Sequence, residues 1–376
     1  MRRAKPYTMQ TNIDIQSTRR VDLDWLRVLA VLLLVPFHSA LIFIHEPHVV
    51  MYVKDELSSS FLNQFAGWIH GFHMPLLFYV SGAATFFSLK KRKGSQYIKE
   101  RFLKILIPAV SGLVLIIPLI TYIALIQKGD SVDFWQHFIN FWQFGNADLT
   151  GMDGKFTPAH LWYLLFLFVF SLIGLPLFTM LKKDCSTRFV KRMIDKTGAP
   201  VIITAIIVVS VMAASLNILG DKNPIYYFLL FFTGYLFMMD DRFQRTIDKY
   251  ALLFLLIGIS CTVILKFFYS FIGNETVAFI ITNLNRWMWL LCILGYGHRG
   301  LKANNSLLKY LSSSSYPFYL FHLLLNTIVG YYIIQLPFST GIKYPIIVIL
   351  TIASTFLVYE IIKRIPGIRF LFGIKK

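Results

Sequence analysis

Charge is scarce in this chain, and acid is the scarcer half. Only 15% of the 376 residues are charged, and 19 Asp and Glu stand against 37 Lys and Arg. Soluble globular domains carry about a quarter charged residues. The shortage argues against the two or three soluble domains that the length would allow. Cysteine is nearly missing too. Cys185 lies in a basic loop, and Cys261 and Cys292 lie inside apolar runs. That spacing makes neither a disulfide framework nor a zinc site. Heptads, tandem repeats and low-complexity tracts are absent, which sets aside coiled coils and solenoids. A short signal-peptide core is also lacking. The first apolar run, Trp25 to Ile44, is too long for one and reads as an uncleaved anchor. Ser17-Thr18-Arg19-Arg20 loosely resembles a twin-arginine signal, but Asp22 sits where that signal needs an apolar residue.

What the chain has in abundance is apolar length. It is 56% hydrophobic and 16% aromatic. Ten apolar segments recur at about 25–45, 65–89, 102–127, 160–181, 199–219, 224–239, 250–272, 276–296, 314–336 and 343–363. Runs of about 20 apolar residues cross the hydrocarbon core as helices. The expectation is an all-α polytopic membrane protein of about ten transmembrane helices, the sixth short enough to be tilted or re-entrant. It divides into a basic tail (1–20), a transmembrane domain (21–365) and a second basic tail (366–376).

The formal charge of +18 does not mark a nucleic-acid protein, because the basic residues form no single patch. They lie in short clusters between apolar runs, as anionic lipids and the positive-inside rule select. Of the 37 Lys and Arg, 29 fall on the side of the N-terminal tail and 5 on the other. Arg27, Lys266 and Arg286 lie inside apolar runs. This alternation predicts both termini in the cytoplasm and a multi-pass protein of the plasma (inner) membrane. The connection 128–159, which contains Gly145, Gly151, Gly154 and Pro158 with four aspartates, is the candidate lid or acceptor-side loop.

Ionisable residues in lipid mark functional surface unless they snorkel or pair. The first helix is the richest. Arg27 and His38 are eleven positions apart, a net rotation of about 20°, so they share a face roughly 16 Å apart along the axis. Asp24 and His45 fall near the same stripe. The second helix brings His70 and His73, three apart and able to neighbour one another. His38, His45, His70 and His73 together raise zinc as a question, but no carboxylate or cysteine stands at a ligand spacing, and no metal is expected. His322 lies about ten residues into its helix, near mid-bilayer. Arg286 is central in its own helix and needs a partner. Lys266 and Glu360 lie near helix ends and read as snorkelling groups.

The motifs around these residues resemble a family. Asp24-Trp25-Leu26-Arg27 through Pro36-Phe37-His38 is similar to the Arg-x10-His motif of the acyltransferase-3 family of integral membrane acyltransferases. His73-Met74-Pro75-Leu76-Leu77-Phe78-Tyr79-Val80-Ser81-Gly82 resembles that family's second-helix segment. Arg101-Phe102-Leu103-Lys104 before Pro108 resembles its Arg-x-x-Arg element. His160-Leu161-Trp162-Tyr163-Leu164 and Ser315-Tyr316-Pro317-Phe318-Tyr319-Leu320-Phe321-His322 resemble two further stretches. The first two helices resemble the branch that adds succinyl groups to periplasmic glucans. There are two departures. Lys104 stands where the family has arginine, and lysine lacks the planar bidentate fork. Ala83-Ala84 replaces a bulkier pair.

The resemblance implies O-acyl transfer across the membrane. A cytoplasmic donor, acyl-CoA carrying acetyl or succinyl, would dock on Arg101, Lys104 and Ser81, with Arg27 on its phosphates or thioester. His38 would act as general base or covalent carrier, with His322 as a second candidate. Asp24, His73, Trp162 and Arg286 would support. The acceptor would be a hydroxyl of a cell-envelope glycan, and no bound cofactor is needed. A proton-coupled exporter is the rival reading, since buried His and Arg suit one equally. An intramembrane scaffold would not need Arg27 and His38 on one stripe.

Overall fold

The computed structural model describes residues 20–374 except 47, 145–149, 217 and 220–221. Among its described residues the regular elements are all helices, without a strand. The helices are α1 (Val21–Leu41), α2 (Ser60–Lys91), α3 (Gly94–Arg101), α4 (Ile107–Leu115), α5 (Ile117–Gln127), α6 (Phe134–Phe141), α7 (Trp162–Leu181), α8 (Asp184–Thr197), α9 (Ala199–Ala214), α10 (Pro224–Phe237), α11 (Asp241–Phe267), α12 (Tyr269–Ile272), α13 (Glu275–Gly300), α14 (Ser306–Ile333), α15 (Thr340–Ile362) and α16 (Pro366–Leu371). Each of the ten expected apolar segments is helical.

Among the described residues, seven helical stretches are long and apolar enough to cross a membrane, or eight when the bent pair α8–α9 counts as one. The protein is therefore a polytopic membrane protein. The helices α8 and α9 meet at 103°, where Gly198 takes φ +82, a conformation open to glycine at little cost. The sixth segment, α10, is a short apolar helix of 14 residues. The helix α14 is 28 residues long but carries the serines 312–315, Asn326 and His322, polar groups that a lipid-facing helix would not hold.

The helix α1 packs between α2 and α14. Their polar residues tie the packing. Asn326 of α14 donates to Ser39 of α1 (2.6 Å) and reaches Thr351 of α15 (3.5 Å). Ser39 follows His38, and Asn326 lies one turn beyond His322, so this contact sets the two histidine-bearing helices in register. The α2–α10 crossing depends on glycine. A Cβ on Gly82 would fall 1.8 Å from the Phe231 carbonyl oxygen, and one on Gly234 would fall 1.9 Å from that of Tyr79. Close backbone approach through small residues is how helices associate in lipid.

A turn of π-helix, Phe102–Leu106, joins α3 to α4. Pro108 has no N–H to offer the Lys104 carbonyl, and the ladder slips so that Ile107 N–H bonds Phe102. The Tyr316 hydroxyl donates to the Ile105 carbonyl (3.3 Å) and ties this turn to α14.

Two expectations change. The first helix ends at Leu41, so His45 leaves the His38 stripe, and its Nε2 bonds the Asp55 carbonyl oxygen (2.7 Å) in the following connection. The segment 366–374, expected as a tail, folds onto the bundle. Phe372 packs on Phe321 with ring centres 4.7 Å apart. The tail 1–19 lies outside the described residues.

Candidate active site

Two cavities enter the bundle from opposite ends. The first, ≈ 820 Å³, opens at the basic end. Arg27, Arg101, Lys104, Lys309 and Lys363 surround it, with Ser81 and Tyr163 deeper in. The second, ≈ 860 Å³, opens at the other end and is lined by histidine and aromatic side chains, among them His38, His70, His73, His160, Trp162 and His322. The helices α1, α2 and α14 each line both. Arg27 and Val31 face the first cavity and Phe37 and His38 the second; Ser81 faces the first and His73 the second. Among the described residues, Tyr319 alone lines both.

The π-turn brings Arg101 and Lys104 onto the first cavity together. The Arg101 guanidinium lies over the Tyr97 ring, 4.5 Å from its centre, and its Nε is buried without a hydrogen-bond partner. Lys104 pairs with Glu100 at 3.0 Å. Arg27 pairs with Asp24 at 3.2 Å yet keeps a side chain 38% exposed, so it can still turn to an anion. Ser81 Oγ and the Tyr163 hydroxyl are 2.8 Å apart. Anions entering here would meet five cations in a partly desolvated space, where charge-assisted hydrogen bonds are strongest.

The histidines of the second cavity form a chain of neighbouring rings. The His38 and His322 rings are 5.2 Å apart and His322 and His160 5.1 Å. Phe37 joins His38, His70 and His73 at 5.0, 6.0 and 5.0 Å. Hydrogen bonds fix tautomers. His322 Nδ1 lies 2.6 Å from the Tyr319 carbonyl oxygen and must carry the proton, since a carbonyl only accepts. That leaves a lone pair on Nε2, which is buried and has no partner. His160 Nε2 donates to the Leu320 carbonyl (3.1 Å), and its Nδ1 is likewise buried without partner. His38 Nδ1 is a third such atom. Buried polar atoms are rarely left unsatisfied, and these three belong to residues that line one cavity, which makes it a candidate ligand site.

The far end of this cavity is roofed by the connection between α1 and α2, which supplies His48, Val49, Val50, Met51 and Tyr52, and by Thr150 and Thr157 of the connection 128–159. A buried pair secures the roof. Lys343 Nζ sits 2.7 Å from Asp55 Oδ2 and 2.8 Å from the Ile334 carbonyl. Burial also holds the Lys54 ammonium below its ordinary pKa.

The sequence candidates thus divide. His38, His73, Trp162 and His322 gather at the second cavity, and Arg27, Arg101, Lys104 and Ser81 at the first. Asp24 holds Arg27. Arg286 lines neither cavity and reaches Asn283 at 3.4 Å. Among the described residues no group of three His, Cys, Asp or Glu is arranged to hold a metal ion. Sequence reasoning passed over the roles of His160, Tyr163, Tyr319, Lys309 and Lys363. The first three lie inside quoted motif stretches. The two lysines carried no signal beyond their place in basic clusters.

The Acyl_transf_3 family model, described as an acyltransferase domain, matches residues 20–360. Glucans biosynthesis protein C of Escherichia coli K12 is 23% identical over 387 residues, covering 96% of this chain and 95% of that protein. Its counterpart in Salmonella heidelberg is 24% identical over 393 residues, covering 96% of each. No solved structure matches.

Proposed function

The chain belongs to the acyltransferase-3 family of integral membrane acyltransferases, and from that premise we propose that it moves an acetyl or succinyl group from cytoplasmic acyl-CoA to a hydroxyl of a cell-envelope carbohydrate. It is an acyltransferase and a multi-pass membrane protein. The observation that carries the finer reading is the pair of opposed cavities, one cationic and one lined by histidine, that converge on Tyr319. The relatives are named for glucan biosynthesis, which favours a carbohydrate acceptor. The exporter reading gives way to family membership, because moving a substrate through would not require acyl-transfer motifs.

In this reading the basic end faces the cytoplasm, with both termini, and the membrane is the inner one. Acyl-CoA enters the first cavity. Its phosphates meet Arg101, Lys104, Lys309 and Lys363, and Arg27 steadies the thioester end. The acceptor enters from the outside. Its hydroxyl gives its proton to an imidazole of the His38–His322 pair as the oxygen attacks the thioester carbonyl carbon. The C–S bond breaks, and the leaving thiolate takes the proton back. The products are an ester and free coenzyme A thiol, with no net proton consumed. Neutral imidazole suits this because one ring nitrogen can accept the proton while the other donates a hydrogen bond. Ser81 and Tyr163 hydrogen-bond the thioester oxygen in this scheme. His73 and Trp162 shape the acceptor side. Arg286 has no part in this scheme.

Membranes carrying the protein or His38→Ala, supplied with radiolabelled acetyl-CoA and separately succinyl-CoA, test the reading. Label should enter envelope glycan with the native protein and not with an equally abundant His38→Ala. Absence of label from both donors would sink the proposed donor class, and equal label in both proteins would remove His38.

A further inference from the structure

The two cavities share one wall. Tyr319 is 4% exposed and is a lining residue of both. Its hydroxyl donates to the His160 carbonyl on the second-cavity side. Its ring lies 5.6 Å from Tyr163, which lines the first, and 5.8 Å from His322, which lines the second. Its carbonyl oxygen fixes the His322 tautomer. The turn that presents His160, Ala159–Leu161, begins with Ala159 at φ +43, a left-handed value that a residue with a Cβ adopts at a cost.

We propose that Tyr319 is the acyl gate of this enzyme: its ring separates thioester from acceptor-side water and, on swinging aside, admits only short acyl groups to the histidines. The inference rests on the proposed reading of the two cavities. The chemistry explains the need. A thioester exposed to the wet acceptor cavity would be hydrolysed, water giving its oxygen to the acyl carbon while the thiolate leaves with a proton. A plug tethered by one hydrogen bond prevents that and can still open. Buried side chains line each cavity, Leu77, Tyr163 and Leu164 the first and His160, His322 and Leu323 the second. Packed walls discriminate by chain length, since each methylene that does not fit costs roughly tenfold or more.

Tyr319→Phe removes the tether and keeps the ring, and Tyr319→Ala removes the ring. Each is compared with the native protein in purified, reconstituted form, with acetyl-CoA, succinyl-CoA and hexanoyl-CoA. Two quantities are read: coenzyme A release without acceptor, and the ratio of hexanoyl to acetyl transfer with a glucan acceptor. Release without acceptor should rise in both variants, more in Tyr319→Ala. The transfer ratio should rise about tenfold in Tyr319→Ala and little in Tyr319→Phe. A merely structural role would lower every rate together and leave the ratio unmoved. Native ratio and native release in a folded Tyr319→Ala would overturn the gate. If that variant does not fold, Tyr319→Phe still decides, because unchanged acceptor-free release would refute the tether. Native protein that transfers no acyl group from any donor would instead overturn the underlying reading.

Discussion

Replacing His38 and His322 singly and together tests whether they act as one proton-transferring unit. The geometry sets the expectation. Their rings are 5.2 Å apart, His322 Nε2 and His38 Nδ1 are both buried without partners, and both line the acceptor cavity. A positioned acid–base side chain contributes about 10²–10⁴ in rate, or about 2.7–5.4 kcal/mol of barrier. His38→Gln and His322→Gln should each lose an amount in that range. If the two pass one proton along one route, breaking it twice costs little more than breaking it once. The double variant should then sit close to the weaker single, as residues acting as a unit do. The assay is the initial rate of labelled acyl transfer to glucan in reconstituted protein, with equal abundance and thermal melting of all four forms as controls. Rate losses that multiply in the double variant would show two independent roles. A native rate in either single variant would remove that histidine from the chemistry.

Other outcomes follow from the same geometry. Gly82→Ala puts a methyl 1.8 Å from a carbonyl oxygen and should destabilise the α2–α10 crossing by about 1–3 kcal/mol or more; an unchanged melting temperature in detergent would contradict it. Asp55→Asn leaves Lys343 buried and unpaired, a loss of about 3–5 kcal/mol. The double variant Asp55→Leu with Lys343→Met should recover most of that, and thermal unfolding reads both. Arg101→Ala removes a cation from the first cavity and should raise the donor KM by about ten- to a hundredfold, from a charged hydrogen bond of about 1.5–3 kcal/mol. The value of kcat should hold; a fall in kcat at constant KM would place Arg101 on the reacting group.

Much of the site was legible along the chain because the membrane makes buried polar residues expensive and therefore rare. Arg27 and His38 stood out on a helix whose neighbours are apolar, and helical geometry alone put them on one face. Their division between two cavities was not legible, since a stripe says nothing about what fills the space between its ends. His45 shows the limit of extending that stripe, because periodicity continued past Leu41 while the helix did not. Lys309, Lys363 and the segment ending at Ile374 lie far from the first helix in sequence, and only packing brings them to the same cavity.

The sequence by itself determined the class. Apolar runs long enough to span lipid, a one-sided excess of Lys and Arg, and motif stretches in order leave room for little but a polytopic acyltransferase. Tertiary structure decided which lone pairs are free and what stands between them. The His322 tautomer depends on the Tyr319 carbonyl, and the wall between the cavities depends on where one phenol ring packs against α7. Hydropathy and helical period are local and additive and can be read residue by residue. A lone pair or a plugged passage is a relation among residues far apart in the chain, 160 positions in the case of His160 and Leu320, and exists only once the chain has folded.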